Sequence, residues 1–365
     1  MSNFVISCGG TGGHLAPGIA IAEALMEKGH HCRLIISNKD VDSRLVKNYP
    51  QLQYARSPGV GFAWSPAKFV KFNIEQVRGL LFTINLMREF KADAVIGFGG
   101  FLTVGAVFAA FFTGVPVMLH EANRRAGRAI RMLAGFARRI YLPPGVTIKG
   151  LPRKMIHHCG YPIRKEIHRM PQDEARAKLG LDVTGKLLLV MGGSQGATAL
   201  NKWVSRNFEA LAKESISVYC VSGLNKMSVD VIERKSADGQ TVRAVFTPFV
   251  DDMAAALSAA DLVVARAGAG SIAEFARCRL PSILVPFPHS ADDHQLANAQ
   301  FLEQQGGAVV IEEKEMDRLL GEVTDTIFND WLIKRFRENL ERLDRANPVD
   351  NIVKDMASIA LTTHD

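Results

Sequence analysis

Twice in this chain a short apolar, β-rich run breaks into a glycine-rich loop that opens a helix. Asn3-Phe-Val-Ile-Ser-Cys8 leads into Gly9-Gly-Thr-Gly-Gly-His14 and then into helical periodicity from Leu15 to Lys28, with Pro17 early in it. About 180 residues later Leu187-Leu-Leu-Val-Met191 leads into Gly-Gly-Ser-Gln-Gly-Ala197 in the same way. Strand, glycine turn and helix make the repeating unit of a doubly wound α/β sheet, and the glycines let backbone approach a phosphate. Two such openings predict an α/β chain of two Rossmann-like domains facing each other across a cleft. The 365-residue length agrees with two domains. The first loop is no Walker loop, for no Gly-Lys-Ser/Thr ends it. It does not fit GxGxxG either, because Leu15 stands where the last glycine belongs, so a dinucleotide site is poorly supported.

The strongest ligand signal lies in the second half. Ala260-Asp-Leu-Val-Val-Ala265 is a short strand, and Arg266-Ala-Gly-Ala-Gly-Ser-Ile-Ala-Glu274 follows it as a glycine-bearing turn into a helix from about Ser271 to Cys278. Helix-start amides and the positive end of the helix dipole suit a diphosphate. Glu274, one turn inside, either accepts hydrogen bonds from a ribose diol or simply caps the helix. Leu280 to Phe287 reads as a buried strand, and His289, Asp292, Asp293, His294, Gln295 and Asn298 crowd the positions after it. Such a polar cluster marks either a ligand rim or the start of a solvated helix, Gln295 to Gln305.

In the first half, His14 stands at the mouth of its loop, as a general base or as a helix-start histidine bonded to backbone; imidazole suits proton transfer near neutrality. Ala94-Val-Ile-Gly-Phe-Gly-Gly100 is another strand and glycine turn. The 19 uncharged residues from Phe101 to Leu119 are long enough to raise a membrane span, but Gly114 and Pro116 divide them into a helix, Thr103 to Phe112, and a strand, Val115 to Leu119. That strand delivers His120-Glu121-Ala-Asn123. His120 or Glu121 either takes part in chemistry or positions neighbours, and Asn123 is placed to bridge hydroxyls.

Charge is uneven. Residues 1–160 hold 20 Lys and Arg against 8 Asp and Glu, which leaves 24 against 29 for residues 161–365. The stretch Trp64 to Met87, with Lys68, Lys71 and Arg78 among large apolar residues, reads as an amphipathic helix on an anionic bilayer or as a core helix with a basic edge. Arg124, Arg125, Arg128, Arg131, Arg138 and Arg139 follow, threaded with apolar residues. No nucleic-acid-binding fold accompanies them, so anionic phospholipid or a lipid diphosphate is the preferred partner and nucleic acid is not expected. Five scattered cysteines, never spaced as CxxC, imply a reducing compartment and no zinc site. The N-terminus shows no basic segment or cleavage site, so no signal peptide is expected.

The ordered set GGTGGHLAPGIAIAEAL, GFGGF, HEAN, YPIR, GGSQGA, FVDDM, RAGAGSIAE and PFPHSADDHQLANA resembles the MurG family over nearly the whole chain. That family comprises the N-acetylglucosaminyltransferases that convert lipid I to lipid II in peptidoglycan synthesis. The resemblance implies the glycosyltransferase B fold, with an acceptor and membrane-binding domain at residues 1–160 and a UDP-sugar domain at 161–346. A C-terminal helix at about 347–365 would return to the first domain. It implies inverting transfer from UDP-N-acetylglucosamine to the muramyl C4 hydroxyl of lipid I, with no cofactor and no protein-bound catalytic metal. By motif position, Glu274 would hold ribose, Val250 would lie against uracil, and Ser194, Ala269, Gly270 and Ser271 would meet the nucleotide diphosphate. Arg164 would contact the diphosphate and Gln295 the sugar. Thr11, Gly12, Gly13, His14 and Asn123 would border the acceptor and the transferred sugar, with His14 the first choice of base and Glu121 the second. The implied location is the cytoplasmic face of the plasma membrane, peripherally, and the resemblance admits recruitment into a cell-wall synthesis complex. Ala122 departs from the family, which commonly has Gln there, and Arg124-Arg125 is more basic than its pattern.

Overall fold

The chain divides into two compact units, Met1–Arg164 with Asn347–Asp365, and Lys165–Ala346. The computed structural model describes it outside residues 59–65, 184, 194–195, 225–228, 345–347 and 363–365, and outside the side chains of 41 and 66–72.

The first unit is built on β1 (Asn3–Ser7), β2 (His31–Ile36), β3 (Gln53–Arg56), β4 (Ala94–Gly97), β5 (Val117–His120), β6 (Arg139–Leu142) and β7 (Ile156–His158). They form one sheet in the order β3-β2-β1-β4-β5-β6-β7, every neighbouring pair parallel. Parallel sheets are covered on both faces, which is why β1, β4 and β5 are nearly unbroken apolar runs. The strand order reverses between β1 and β4. The loops leaving those two strands therefore part at their carboxyl ends and open the crevice where such sheets bind ligands.

The second unit repeats the plan with β8 (Lys186–Met191), β9 (Ile216–Val221), β10 (Asp230–Lys235), β11 (Thr241–Thr247), β12 (Leu262–Ala265), β13 (Ser282–Leu284) and β14 (Ala308–Val310), ordered β10-β11-β9-β8-β12-β13-β14. Here the reversal lies between β8 and β12, so the Arg266–Glu274 turn leaves the sheet at its switch point. β13 and β10 differ from expectation. β13 spans only Ser282–Leu284, because Pro281 and Pro286 bracket it and cannot donate to a ladder. β10, an edge strand antiparallel to β11, carries mostly exposed side chains and so has no apolar period to read.

The first long helix begins at Gly12 rather than Leu15, which puts Pro17 in its second turn instead of its first. Proline has no N–H for the carbonyl four residues earlier, that of Gly13. The Tyr161 hydroxyl donates to that carbonyl at 3.2 Å, so the acceptor is satisfied.

The C-terminal helix Pro348–Leu361 buries Ile352, Val353, Met356 and Ile359 in the core that holds Phe4, Ile6 and Leu34. Its polar anchor is Asp355. The Arg139 guanidinium donates to it at 2.7 and 3.1 Å, and the Tyr141 hydroxyl at 2.8 Å. Burial and the adjoining carboxylate push the Tyr141 hydroxyl far above its usual range, so it stays a donor. The uncharged 101–119 run is a helix, Gly100–Thr113, stopped by Gly114 in the left-handed region at φ 73° before β5 begins. No helix among the described residues is long and apolar enough to cross a membrane.

Candidate active site

The glycine loop after β1 is shaped by close approach. A Cβ on Gly9 would stand 2.4 Å from the Ser37 nitrogen, so only glycine fits against the end of β2. The loop is then pinned by Asp42, a fully buried carboxylate on the short helix Asp40–Leu45. Its Oδ2 accepts from the Gly10 N–H at 2.7 Å, the Ser37 N–H at 2.9 Å and the Ser37 hydroxyl at 2.6 Å. Lys39 Nζ donates to the Gly10 carbonyl at 2.9 Å. Nothing in the sequence marked Asp42 or Lys39, since the glycine loop they hold lies about 30 residues away and neither belongs to a motif.

The loop delivers Thr11 to the cap position of the Gly12–Glu27 helix, with Gly12 and His14 half-buried and Gly13 exposed. Thr11 Oγ1 lies 3.2 Å from His14 Nδ1. The imidazole lies against the turn after β4. Gly99 and Gly100 both take positive φ, 96° and 74°, and a Cβ on either would come within 3.4 and 3.2 Å of a ring nitrogen. The GFGG turn is glycine-rich because it must bend over this ring.

From the end of β5, His120 and Glu121 enter the same unit buried, at 2% and 5% exposure. Burial pushes the His120 imidazole down to about 4; its 3.5 Å contact with the Gly160 carbonyl opposes that shift, and charge on His14 adds to it. Glu121 is taken up by its own loop. Its Oε1 accepts from the Asn123 backbone and side-chain amides, both at 2.8 Å, and its Oε2 from the Gly127 N–H at 2.6 Å. The carboxylate therefore holds Asn123 in place and closes the turn into the Arg128–Leu133 helix. Arg164 donates to the Tyr49 hydroxyl at 3.1 Å.

In the second unit, β12 ends at Ala265 and Gly268 caps the Ala269–Cys278 helix. Ala269, Gly270, Ser271 and Glu274 are all half-buried along its first turns. Arg266, which the motif reading passed over, braces this turn. Its guanidinium donates to the Val285 and Pro286 carbonyls at 3.1 and 3.2 Å, pairs with Glu313 and lies 5.4 Å from the Phe287 ring. A charged residue directly after a buried strand was the signal available for it. Buried Asn298 donates to the Ala267 carbonyl at 3.1 Å, and Gln295 Oε1 accepts from the Phe287 N–H at 2.9 Å. Both amides thus set the rim that follows β13. Val250 is buried, at 6% exposure. Ser194 lies outside the described residues. Among the described residues no group of three His, Cys, Asp or Glu is arranged to hold a metal ion.

Each unit therefore presents a strand, a glycine turn and a helix start at the switch point of its own sheet. The model of the glycosyltransferase family 28 N-terminal domain matches residues 4–142, and that of the family 28 C-terminal domain matches residues 187–347. The chain belongs to glycosyltransferase family 28.

Family 28 relatives match along the whole length. The Opitutus terrae protein named UDP-N-acetylglucosamine–N-acetylmuramyl-(pentapeptide) pyrophosphoryl-undecaprenol N-acetylglucosamine transferase is 52% identical over 362 residues, covering 99% of this chain and 96% of the relative. A Burkholderia thailandensis protein of the same name is 34% identical, covering 98% of this chain and 96% of its own. Among solved structures, the crystal structure of Acinetobacter baumannii MurG aligns with a TM-score of 0.73 at 23% identity, covering 98% of this chain and all of that one. The architecture is that of the glycosyltransferase B fold.

Proposed function

We propose that this chain transfers N-acetylglucosamine from UDP-N-acetylglucosamine to the muramyl C4 hydroxyl of undecaprenyl diphosphate-linked N-acetylmuramyl pentapeptide, with inversion at the anomeric carbon. The observation that carries this reading is the 52% identity, over 99% of the chain, to a relative named for that transfer. The C4 oxygen forms a bond to the anomeric carbon as the bond from that carbon to the diphosphate oxygen breaks, and UDP leaves. The acceptor's proton passes to His14. The amides that start the Ala269–Cys278 helix receive the charge that grows on the diphosphate. Glu274 accepts hydrogen bonds from the ribose, and Glu121 acts by orienting Asn123 toward sugar hydroxyls. Neither a cofactor nor a bound metal enters these steps. Labelled N-acetylglucosamine transferred to a lipid I analogue, and not to diacylglycerol, is the expected result; transfer to diacylglycerol would keep the donor chemistry and replace the acceptor.

Glu274→Ala is expected to weaken UDP binding by about 1–3 kcal/mol, the cost of leaving a ribose diol without its acceptor. Titration calorimetry reads this directly. Unchanged affinity with an unchanged melting temperature would remove Glu274 from the nucleotide site.

The first unit is further proposed to dock on the anionic cytoplasmic face of the plasma membrane. Phe111 and Phe112, at the end of the Gly100–Thr113 helix, are 60% and 62% exposed, and Met132 is 59% exposed. The Phe111 ring lies 5.7 Å from that of Phe112 and 5.5 Å from that of Phe136, so the three form one apolar knob, and Arg128 and Arg131 belong to the helix Arg128–Leu133 that packs on the Gly100–Thr113 helix. Exposed aromatics edged with arginine suit insertion among acidic headgroups. Replacing both Phe111 and Phe112 by Ser is expected to weaken binding to phosphatidylglycerol vesicles at least about tenfold, since a buried Phe is worth roughly 1.5–3 kcal/mol. Equal co-sedimentation of variant and wild type would rule this knob out.

A further inference from the structure

The second unit contains a cavity of about 740 Å³ that none of the proposed chemistry uses. Its walls include the carboxyl end of the Ala269–Cys278 helix, the segment Arg169–Gln172 and one face of the helix Asp330–Leu343. The diphosphate turn is at the opposite end of that ten-residue helix, roughly 15 Å away at 1.5 Å per residue. The cavity is therefore separate from the nucleotide site, and its volume is that of a small-molecule pocket.

Four arginines and two acids set its charge. Arg277 is paired with Asp344 at 2.5 Å and Arg279 with Glu341 at 2.7 Å, which uses up both acids. Arg169 and Arg337 make no hydrogen bond or ion pair with any described residue. The acids that act on Arg337 from a distance, Asp261 and Asp330, are held elsewhere, by Arg176 at 3.0 Å and Lys186 at 3.6 Å. Half-burial pushes the Arg337 guanidinium below its usual range, and the like charge of Arg169 pushes the same way. Two guanidinium forks thus share one cavity with no acid bonded to either among the described residues. That arrangement leaves both forks available to a dianion, whose oxygens would accept paired N–H bonds from each.

We propose that this cavity is a second anion site, taking a phosphomonoester or diphosphate group between Arg169 and Arg337. The chain enters the unit beside Arg169 and leaves it just after Asp344. A bound dianion therefore ties the entering segment to the departing helix.

The test uses the full chain with its nucleotide site filled by excess UDP, so that only the second site reports. Inorganic diphosphate and glycerol 1-phosphate, the latter standing for a lipid headgroup, are titrated separately by calorimetry. Saturable binding near one equivalent is expected, weakened at least about tenfold in the Arg169→Gln/Arg337→Gln double variant while UDP affinity stays unchanged. The tighter of the two probes tells a free phosphate from a headgroup as the source. If the double variant does not fold, Arg169→Gln alone serves, because that side chain is exposed. No saturable binding of either probe, or binding that ignores these substitutions, overturns the proposal.

Discussion

His14→Ala is expected to lower turnover by roughly 10²–10⁴ while UDP affinity is retained, the usual share of a positioned general base. The expectation rests on where the imidazole is held. The loop after β1 is fixed from below by Asp42 and Lys39, and the turn after β4 bends over the ring through two glycines of positive φ. Thr11 Oγ1, 3.2 Å from Nδ1, accepts a hydrogen bond from the Nδ1–H in the tautomer that leaves Nε2 free to act as the base. A ring held on three sides loses little entropy when it meets an acceptor hydroxyl, which is the condition for efficient proton transfer. The residues proposed to hold the ribose and the helix-start amides proposed to meet the diphosphate, Glu274 and Ala269 to Ser271, belong to the second unit, so calorimetry with UDP should not register the change. Single-turnover transfer to a lipid I analogue is the deciding measurement. Turnover equal to wild type would take His14 out of the mechanism and leave a carboxylate such as Glu121 as the base.

What could be read from sequence and what could not divide along one physical line. A glycine run between a buried strand and a helix start is a local signal, so both switch-point turns and the residues from Ala269 to Glu274 were legible. The partners that hold those turns are not local. Asp42 reaches back to Gly10 from another helix, and Tyr161 completes the carbonyl that Pro17 leaves without a donor. Asp355 meets Arg139 and Tyr141 more than 200 residues away in sequence. Their chemistry is ordinary and only their placement is special, which a single sequence does not record. β10 escaped for a different reason: an exposed edge strand needs no alternation of apolar residues and so leaves none to find.

Acidification is expected to unfold this protein partly through His120. The side chain is 2% exposed, and burial lowers its imidazole from 6.5 to about 4, so in the folded chain it stays neutral through mild acid. In the unfolded chain the same ring takes up a proton as the pH falls below about 6.5. Between these limits the unfolded state binds more protons than the native one, so stability falls as pH falls. The contribution is fully present above about pH 6.5, is lost progressively down to about pH 4, and changes no further below that. A shift of this size amounts to about 3 kcal/mol, at 1.36 kcal/mol for each pH unit. Carboxylates titrate in the same window, so the wild-type curve alone does not isolate the histidine. His120→Gln removes the titration and keeps an amide donor with the reach of Nε2 for the Gly160 carbonyl. Urea unfolding at pH 7 and pH 4 should show wild type losing about 3 kcal/mol more than the variant over that interval. Equal losses would mean that His120 accepts its proton while still folded, and the acid sensitivity would then belong to the carboxylates.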